Sequence, residues 1–506
     1  MSLKLLNLSG RPLILLITIA SSCGFLLFGY DNGVFSGLIV SPWFLATYLN
    51  PNSSLLGTVS AMYNIGGFLG GTIAFFVGAR LGRRRTILAG LAICTVGAVV
   101  QCSATDLGKL VSGRILSGVG VGVLTVGLWQ PEVVPGRSRG GYLTMQLLES
   151  SAAGLFLAQW INYGFHDARG RIAFTFPLAF QLVFLVLAGL LITFLPESPR
   201  WLVKQGCRAE AREVLIRLLG ALSSSSVEHR LAQIDEAVAL ETTRVADTAQ
   251  NLYLQLLSRG PTQNLRRLCL ACGTMIMHQL GGSNSVTYYM PTLLVTFVGV
   301  SHSTSLWVAG LTSITSMVCA VVPILTIDRV GRRPFLWGGA AMQAAMFVVI
   351  AVLLANAESE GRDNSHAVGV AAVVIVFLFY GCYAMTWLGP SWAYPTEILP
   401  LQIRERGLAL GNICYWLFQF MIVEITPVAL TNIRYKFYII LAVFNAFNSG
   451  IVYFCFPETK GLSLEEIDFY FAEKYADRIG VQELGRDGEV GKAGIGTERA
   501  EDVEIG

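Results

Sequence analysis

The sequence predicts an all-α membrane protein in which twelve transmembrane helices form two six-helix bundles. Three observations support this fold class: an apolar composition, twelve apolar stretches of membrane-spanning length, and motifs that recur in the two halves. Hydrophobic residues make up 53% of the 506 residues and charged residues only 14%, and the mean hydropathy is +0.58. Because a soluble domain carries about 25% charged residues, the composition indicates a polytopic membrane protein.

The individual spans follow from the length that a membrane requires. A helix needs about 20 predominantly apolar residues to cross the hydrocarbon core of a bilayer. The predicted spans lie near 13–39, 55–78, 86–105, 112–130, 141–163, 176–195, 268–298, 304–327, 335–357, 367–392, 405–427 and 435–456. The third and fourth are interrupted by glycine and polar residues, so hydropathy alone supports them less well.

The positions of positively charged residues indicate how the spans are oriented. Arginines follow the second, fourth, eighth and tenth spans, whereas the loops after the first and seventh spans contain no lysine or arginine. Cytoplasmic loops of membrane proteins carry an excess of these residues. Both termini are therefore predicted to lie in the cytoplasm.

A polar segment divides the twelve spans into six and six. Its sequences "CRAEAREVLIRLLG" and "EHRLAQIDEAVALETT" place apolar residues three and four apart, as amphipathic helices do. The tail is polar and glycine-rich after about residue 472, so we expect it to be largely disordered at its end. The predicted regions are an N-terminal six-helix bundle at 1–195, a cytoplasmic linker at 196–267, a C-terminal six-helix bundle at 268–456 and a cytoplasmic tail at 457–506.

Three pairs of motifs recur at matching positions of the two halves. They are "ARLGRRR" (79–85) with "DRVGRRP" (328–334), "PEVVPGRSRG" (131–140) with "PTEILPLQIRERG" (395–407), and "PESPRWL" (196–202) with "PETKGLSLEEI" (457–467). Parallel repeats of six spans are a known plan of membrane transporters, which bind their substrate near the midplane between the halves. The repeats therefore predict a transporter.

Together with "FGYDNGVFSG" and "QLGGSNSVTYY", these motifs resemble the sugar porter family of the major facilitator superfamily, from about Gly24 to Ile467. "WINYG" and "WAYPTEILP" resemble its fungal branch. The resemblance implies the major facilitator fold and a monomeric secondary active transporter that moves a sugar or sugar-like solute by alternating access, with the plasma membrane as the expected location. No nucleophile–base pair, metal-ligand spacing or phosphate loop is apparent, so we expect no enzyme, cofactor, metal or nucleic-acid partner.

The repeated arginine motifs suggest a gate at the cytoplasmic end. Gly82 and Gly331 permit tight turns between helices, and the neighbouring arginines can reach helix C-termini and carboxylates. Ala79 stands where the second half has Asp328, so the ion-pair network of the first half should be the weaker one. The alternative is that these charges only orient the spans. The resemblance implies a gate formed by Arg83, Arg84, Glu132, Arg139, Asp328, Arg332, Arg333, Glu397 and Arg404.

A site for a sugar needs amide side chains, which both donate and accept hydrogen bonds, and an aromatic surface to cover the ring. Gln279 and Asn284 resemble sugar-binding amides of the family, Tyr288 resembles a gating aromatic, and Trp392 resembles a tryptophan that stacks on the sugar. The alternative for each aromatic is packing in the core or at the lipid interface. The expected substrate-binding set is Gln279, Asn284, His278, Tyr288, Trp392, Gln146 and Gln419.

Several positions of this site differ from the family pattern. His278 replaces a glutamine, Ala384 replaces a polar residue, and Tyr415 replaces an asparagine or glutamine, while the register of Gln146 is off by about one residue. These changes leave the substrate open among a pentose, a polyol, a sugar acid, a disaccharide and a sugar-like specialised metabolite.

Asp31 is an acidic residue in the middle of the first apolar span. It resembles the aspartate of proton-coupled members, and Arg114 resembles its arginine partner. Movement of Arg114 toward or away from Asp31 would change the proton affinity of the carboxylate, so we predict proton symport. One alternative is that Asp31 and Arg114 form a structural ion pair in a passive facilitator. Another is a sugar sensor, against which the short tail argues. Glu149 and Glu424 are further carboxylates within spans, and their role is open.

Overall fold

The computed structural model describes residues 9–126, 139–220, 224–247, 255–359, 365–400, 402–462 and 464–479. This part of the chain is helical and contains no strand. The expected all-α class is therefore confirmed.

The described residues of the first half form six long helices and one short one. Its helices are α1 (Arg11–Leu38), α2 (Pro42–Thr47), α3 (Ser53–Leu81), α4 (Arg83–Ser103), α5 (Leu107–Val126), α6 (Arg139–Gly164) and α7 (Ile172–Phe194). The short helix α2 lies in the loop after the first span, and its Phe44 packs against Phe174 of α7.

The polar segment between the halves also forms helices. They are α8 (Pro199–Lys204), α9 (Arg208–Leu219) and α10 (Ser224–Asp247). The buried residues of α9 recur at helical spacing, which is the pattern of an amphipathic helix: Ala211, Val214, Leu215 and Leu218. The backbone N–H of Gly10 donates to the carbonyl of Arg217 at 2.7 Å, so the segment packs against the start of α1. The domain boundaries at 196 and 267 stay a prediction.

The second half repeats the plan of the first, followed by a terminal helix. Its helices are α11 (Asn264–Leu280), α12 (Ser283–Leu293), α13 (His302–Val330), α14 (Arg332–Ser359), α15 (Ser365–Thr386), α16 (Pro390–Ile398), α17 (Arg404–Asn432), α18 (Lys436–Cys455) and α19 (Leu464–Ile479). A five-residue π-helix, Leu294–Val298, extends α12. The helix α19 continues beyond residue 472, where we expected order to end. Arg267 pairs with Asp468 and donates to the carbonyl of Ile467 at 3.0 Å, which anchors α19 to the start of α11.

Ten helical segments of the described chain are long and apolar enough to cross a membrane. The other two predicted spans correspond to α6 and to the pair α11–α12, which is interrupted at Gly281 and Gly282. Gly282 has φ 78°, and a Cβ there would lie 2.8 Å from Leu441. Only glycine fits this left-handed position without strain, so the seventh span is a broken helix.

Among the described residues, the most extensive contacts between the two halves lie along three helix pairs: α3 with α17, α6 with α13, and α1 with α12. Close approach depends on glycine in the first pair, since a Cβ on Gly67 would lie 2.4 Å from the ring of Trp416. The broken seventh span thus lies against the first span, where the two halves face each other.

Candidate functional site

A cavity lies between the two halves at the level of the broken helix. It comprises about 780 Å³ of space not occupied by atoms, a volume that includes open solvent. Aromatic side chains form much of its wall: Phe25, Phe28, Tyr380, Tyr383, Trp392, Tyr415 and Trp416. Polar side chains complete it: Asn32, Thr125, Ser151, His278, Asn284, Thr287 and Ser316. This combination of apolar faces and a few hydrogen-bonding groups is typical of a site for a small polar solute.

The two amides of the seventh span contact each other across the helix break. Asn284 lines the cavity, and its Nδ2 donates to Oε1 of Gln279 at 2.5 Å. Gln279 is fully buried behind Asn284, and its Nε2 has no hydrogen-bond partner among the described residues. An unpaired buried donor is costly. This amide pair can therefore still donate a hydrogen bond to a ligand.

His278 is held in one tautomer at the cavity wall. Its Nδ1 lies 2.8 Å from Oγ of Ser391, and its Nε2 lies 2.7 Å from the hydroxyl of Tyr383. Ser391 donates its single hydrogen to the carbonyl of Trp387 at 2.6 Å, so it must accept from Nδ1–H. The Nε2 atom therefore accepts from Tyr383, which fixes that hydroxyl at the cavity. Ser391 and Tyr383 were missed by sequence reasoning, which gave no signal for them.

Asn32 links the first span to two spans of the other half. The hydroxyl of Tyr288 donates to Oδ1 of Asn32 at 2.6 Å, and Nε2 of Gln419 lies 3.5 Å from the same atom. Tyr288 and Gln419 are buried next to the cavity, and Asn32 itself lines it. Sequence reasoning did not select Asn32, although a second polar residue beside Asp31 in an apolar run was the available signal.

Trp392 lies in the cavity wall as part of an aromatic group. Its ring centroid is 5.0 Å from that of Tyr415, which in turn is 5.5 Å from His278. Tyr415 therefore places an aromatic face where the family resemblance predicted an amide. Gln146 lies on α6 before residue 151, outside the part of the chain whose side chains the structure describes.

Asp31 and Arg114 are both buried but do not form an ion pair in this conformation. Neither oxygen of Asp31 has a hydrogen-bond partner among the described residues. Arg114 donates from Nη2 to the carbonyl of Ser60 at 3.0 Å, and its guanidinium lies 3.9 Å from the ring centroid of Phe35 and 4.6 Å from that of Tyr63. The cation thus contacts one carbonyl and two aromatic faces, while its Nε and Nη1 have no hydrogen-bond partner among the described residues.

Arginines follow the turns at Gly82 and Gly331, and we call this end of the protein the arginine-rich end. There, a carboxylate caps the helix that follows Gly82. Glu197 Oε1 accepts from the backbone N–H groups of Arg83 at 3.0 Å and Arg84 at 3.2 Å. Gly82 has φ 85°. The first N–H groups of a helix have no partner within it, so Glu197 stabilises the start of α4.

The second half repeats this arrangement. Glu458 accepts from the backbone N–H groups of Arg332 at 2.9 Å and Arg333 at 3.1 Å, directly after Gly331 with φ 104°. Glu197 and Glu458 occupy the same place in the repeats "PESPRWL" and "PETKGLSLEEI". Sequence reasoning aligned these repeats but did not assign the carboxylates to the turns.

The side chains of the predicted gate form contacts within and between the halves. Arg332 pairs with Glu397 at 2.7 Å and with Asp328 at 3.0 Å, both in the second half. Arg83 instead pairs with Glu405 of the second half at 3.0 Å, a partner that was not predicted. This last contact ties the two halves together at the arginine-rich end.

The other predicted gate arginines contact backbone carbonyls. Arg84 donates to Thr193 at 2.5 Å and Arg404 donates to Leu399 at 3.0 Å. Arg333 donates to the carbonyl of Tyr453. Glu132 lies outside the described residues, and Arg139 lies outside the part with described side chains. Helix C-termini accept such charges favourably.

Comparison with known proteins agrees with this fold. The family model "Sugar (and other) transporter" matches residues 16–471. MFS-type transporter oryC of Aspergillus oryzae is 36% identical, over 92% of this chain and 86% of oryC. Sugar transporter STL1 of Saccharomyces cerevisiae is 30% identical, over 98% of this chain and 91% of STL1.

A further relative and a solved structure extend the comparison. H(+)/hexose cotransporter 2 of Parachlorella kessleri is 29% identical, over 91% of this chain and 87% of the relative. The structure of the proton:xylose symporter XylE superposes with a TM-score of 0.74 at 22% identity, over 91% of this chain and all of that one. The chain is therefore a multi-pass membrane protein of the sugar transporter family within the major facilitator superfamily.

Proposed function

We propose that this sugar transporter is a proton symporter that moves a sugar or sugar-like solute by alternating access, as a monomer. The observation that carries the proposal is the state of Asp31. Its carboxyl group is buried, without a hydrogen bond or ion pair among the described residues. An isolated buried carboxylate is very costly, and a bound proton removes that cost.

The position of Asp31 relative to the cavity supports coupling to the solute. The next residue, Asn32, lines the cavity and accepts the hydrogen bond of Tyr288 from the other half. A change at Asp31 can therefore alter the hydrogen bond between Asn32 and Tyr288, which joins the halves next to the cavity. Arg114, on α5, lies beside this region and has carbonyl and aromatic contacts that can be exchanged for Asp31 as the helices move.

The solute would bind in the cavity between amides and aromatic faces. Asn284, backed by Gln279, supplies hydrogen bonds, and His278 with Tyr383 supplies a second polar group. Trp392 and Tyr415 provide aromatic surface for a ring. The names of the relatives STL1 and H(+)/hexose cotransporter 2 agree with a sugar as solute and a proton as the coupled ion.

The arginine-rich turns would form the cytoplasmic gate, with both termini in the cytoplasm and the plasma membrane as the location. The Arg83–Glu405 pair joins the halves at this end, so it must break when the cavity opens there. The pairs of Arg332 with Asp328 and Glu397 lie within one half and can persist during this movement.

Radiolabelled uptake tests the proposal. The transporter is reconstituted in liposomes, or expressed in a host without its own sugar transporters, and offered a panel of pentoses, hexoses, polyols and disaccharides at two pH values. We expect accumulation of one solute above the outside concentration, and collapse of this accumulation by a protonophore.

A passive facilitator is the second candidate, because Arg114 contacts Ser60, Phe35 and Tyr63 and forms no ion pair with Asp31 in this conformation. In that case the solute equilibrates across the membrane, and neither pH nor a protonophore changes its flux. That result would contradict proton coupling while leaving the solute site intact.

A further inference from the structure

The backbone between α15 and α16 leaves a buried carbonyl that a side chain must satisfy. Helix α15 ends at Thr386 and α16 begins at Pro390, and proline has no N–H to donate. In this gap the carbonyl of Trp387 accepts from Oγ of Ser391 at 2.6 Å, and no backbone N–H of the described residues is bonded to it. Both residues are buried. An unpaired buried carbonyl is costly, so the single hydrogen of Ser391 is committed to Trp387.

This commitment fixes the direction of the hydrogen bonds on both sides of His278. The Nδ1 atom must donate to Ser391, at 2.8 Å. His278 is 2% exposed, and a charge buried within a span is costly, so the imidazole is neutral and Nε2 carries no hydrogen. The hydroxyl of Tyr383, 2.7 Å away, must therefore donate to Nε2. We call Trp387, Ser391, His278 and Tyr383 the histidine relay.

The histidine relay ends at the cavity, and its direction sets what Tyr383 offers to a solute. Tyr383 and His278 line the cavity, whereas Ser391 and Trp387 do not. Since the hydrogen of Tyr383 points to His278, its oxygen presents only lone pairs to the solute. A solute hydroxyl can donate to that oxygen. A carboxylate oxygen or a fluorine in the same place cannot, because two acceptors that face each other repel.

The charge of the cavity wall adds to this preference. The described residues that line the cavity include no lysine, arginine, aspartate or glutamate. The amide of Asn284 already gives one of its hydrogens to Gln279. A carboxylate bound here would therefore be removed from water without a counter-ion in the wall, which is costly.

We propose that Ser391 is a specificity-determining residue that does not touch the solute. It holds His278 in the Nδ1–H tautomer, which turns the hydrogen of Tyr383 away from the cavity and leaves an acceptor there. The cavity then selects a neutral solute that donates a hydroxyl hydrogen to Tyr383, and among the classes left open by the sequence it disfavours a sugar acid. This role rests on the proposed function in one respect, that the solute binds in the cavity, and it is independent of proton coupling.

The opposite direction of the relay would place the same heavy atoms at the same distances. Ser391 would then donate to Nδ1 of His278, Nε2–H would donate to Tyr383, and Tyr383 would donate to the solute. That arrangement leaves the carbonyl of Trp387 without a donor. A decisive experiment must therefore locate the hydrogens of His278.

Solid-state NMR of the full chain in lipid bilayers, with ¹⁵N in the histidine rings, identifies the tautomer without any solute. The chain contains five histidines, and the spectrum of His278→Phe identifies the signal of His278. We expect the wild type to show a neutral ring protonated at Nδ1. Ser391→Ala removes the acceptor of Nδ1–H, so a signal from the Nε2–H tautomer should appear. Ser285→Ala, which removes another buried hydroxyl of the second half, 2.8 Å from Thr426, should leave the signal unchanged.

Binding of defined probes then measures the effect on specificity. Trp392 and Trp416 in the cavity wall report binding through their fluorescence, and the probes are D-glucose, its deoxyfluoro analogues and D-glucuronate. In the wild type, the analogue with fluorine in place of the hydroxyl that faces Tyr383 should bind about ten-fold more weakly than glucose, and glucuronate at least as weakly. In Ser391→Ala the hydrogen of Tyr383 can turn to the cavity, so this ratio should approach one. Ser285→Ala should keep the wild-type ratio.

A wild-type His278 that is protonated at Nε2, or at both nitrogens, overturns the proposal. A Ser391→Ala variant with the wild-type tautomer and the wild-type binding ratio overturns it as well. Failure of every sugar to bind contradicts the proposed function alone, since the tautomer of His278 is measured without a solute.

A second variant keeps the role of the relay testable if Ser391→Ala is not recovered as folded protein. Tyr383→Phe removes the acceptor itself, so the discrimination against the fluorinated analogue should be lost. Tyr289→Phe, whose hydroxyl donates to the carbonyl of Val423, should retain it. Equal discrimination by the two variants contradicts the assignment of Tyr383 as the acceptor.

Discussion

Tyr288 of the broken seventh span donates a 2.6 Å hydrogen bond to Asn32 of the first span. This bond joins the two halves next to the cavity, because Asn32 lines the cavity and Tyr288 is buried behind it. Access to the cavity from this side requires the bond to break. Asn32 is also the neighbour of Asp31, so the cavity, the bond between the halves and the proposed proton site meet at two consecutive residues.

The first prediction concerns this bond. Tyr288→Phe removes the hydroxyl and leaves Oδ1 of Asn32 with only the 3.5 Å contact to Gln419, which costs about 1–3 kcal/mol. The closed arrangement should become less populated by about ten-fold, and solute exchange without net accumulation should increase. Flux measured with and without a proton gradient checks this.

Tyr289→Phe is the matched control for that variant. Tyr289 is adjacent in sequence, but its hydroxyl donates to Val423 within the same half. It should leave the coupling between proton and solute unchanged. Equal leakage in the two variants would show that the Tyr288–Asn32 bond has no special part in closing the cavity.

The second prediction concerns the amide pair of the seventh span. Gln279→Ala removes the group that accepts from Asn284, so Asn284 loses its fixed orientation toward the cavity. The apparent KM should rise by about ten-fold or more, with a smaller effect on maximal flux. Transport kinetics normalised to the amount of protein in the membrane provide the test, and unchanged kinetics would remove Gln279 from the solute site.

The third prediction concerns Asp31. Asp31→Asn keeps the shape of the side chain but cannot bind and release a proton. Concentrative uptake should be lost, while exchange of solute across the membrane continues and becomes insensitive to a protonophore. Arg114 keeps its contacts with Ser60, Phe35 and Tyr63, so the variant should still fold. Uphill uptake by Asp31→Asn would assign the coupled proton to another residue.

The fourth prediction concerns the turn before α14. Gly331 has φ 104°, and a Cβ there would lie 2.6 Å from the carboxylate of Glu458. Gly331→Ala should therefore destabilise the fold by about 1–3 kcal/mol through backbone strain and loss of the helix cap. A lower melting temperature in detergent would show this.

Gly338→Ala, within the helix α14 that follows this turn, is the control for the substitution of Gly331. No atom lies within 4 Å of a Cβ at Gly338, and alanine favours a helix over glycine. Its melting temperature should equal or exceed that of the wild type. Equal melting temperatures of the Gly331→Ala variant and the wild type would contradict the importance of the Glu458 contact.

Much of the fold was predictable because its determinants are local. Twelve apolar stretches define the spans, since each must satisfy its own backbone within the bilayer. Gly82 and Gly331 mark the turns because only glycine adopts their backbone conformation at low cost. The repeats around these turns indicate two related halves.

The partners of individual side chains were less predictable, because they lie far apart in sequence. Asn32 bonds to Tyr288 and Gln419, Arg83 pairs with Glu405, and Ser391 orients His278. No spacing along the chain indicates such contacts, which arise only when helices of different spans pack side by side. The sequence showed which residue types occupy the span of Asp31. It did not show that Asp31 and Arg114 form no ion pair in this conformation.

The apolar stretches and repeated motifs were enough to predict the membrane class, the order of the spans, the repeat of the two halves and the polar residues available to a solute site. Only the packing of the helices showed which of these residues share the cavity and which contact the other half. Burial in a membrane is a property of each segment, whereas a hydrogen bond such as Tyr288–Asn32 depends on the alignment of two helices to within a fraction of an ångström.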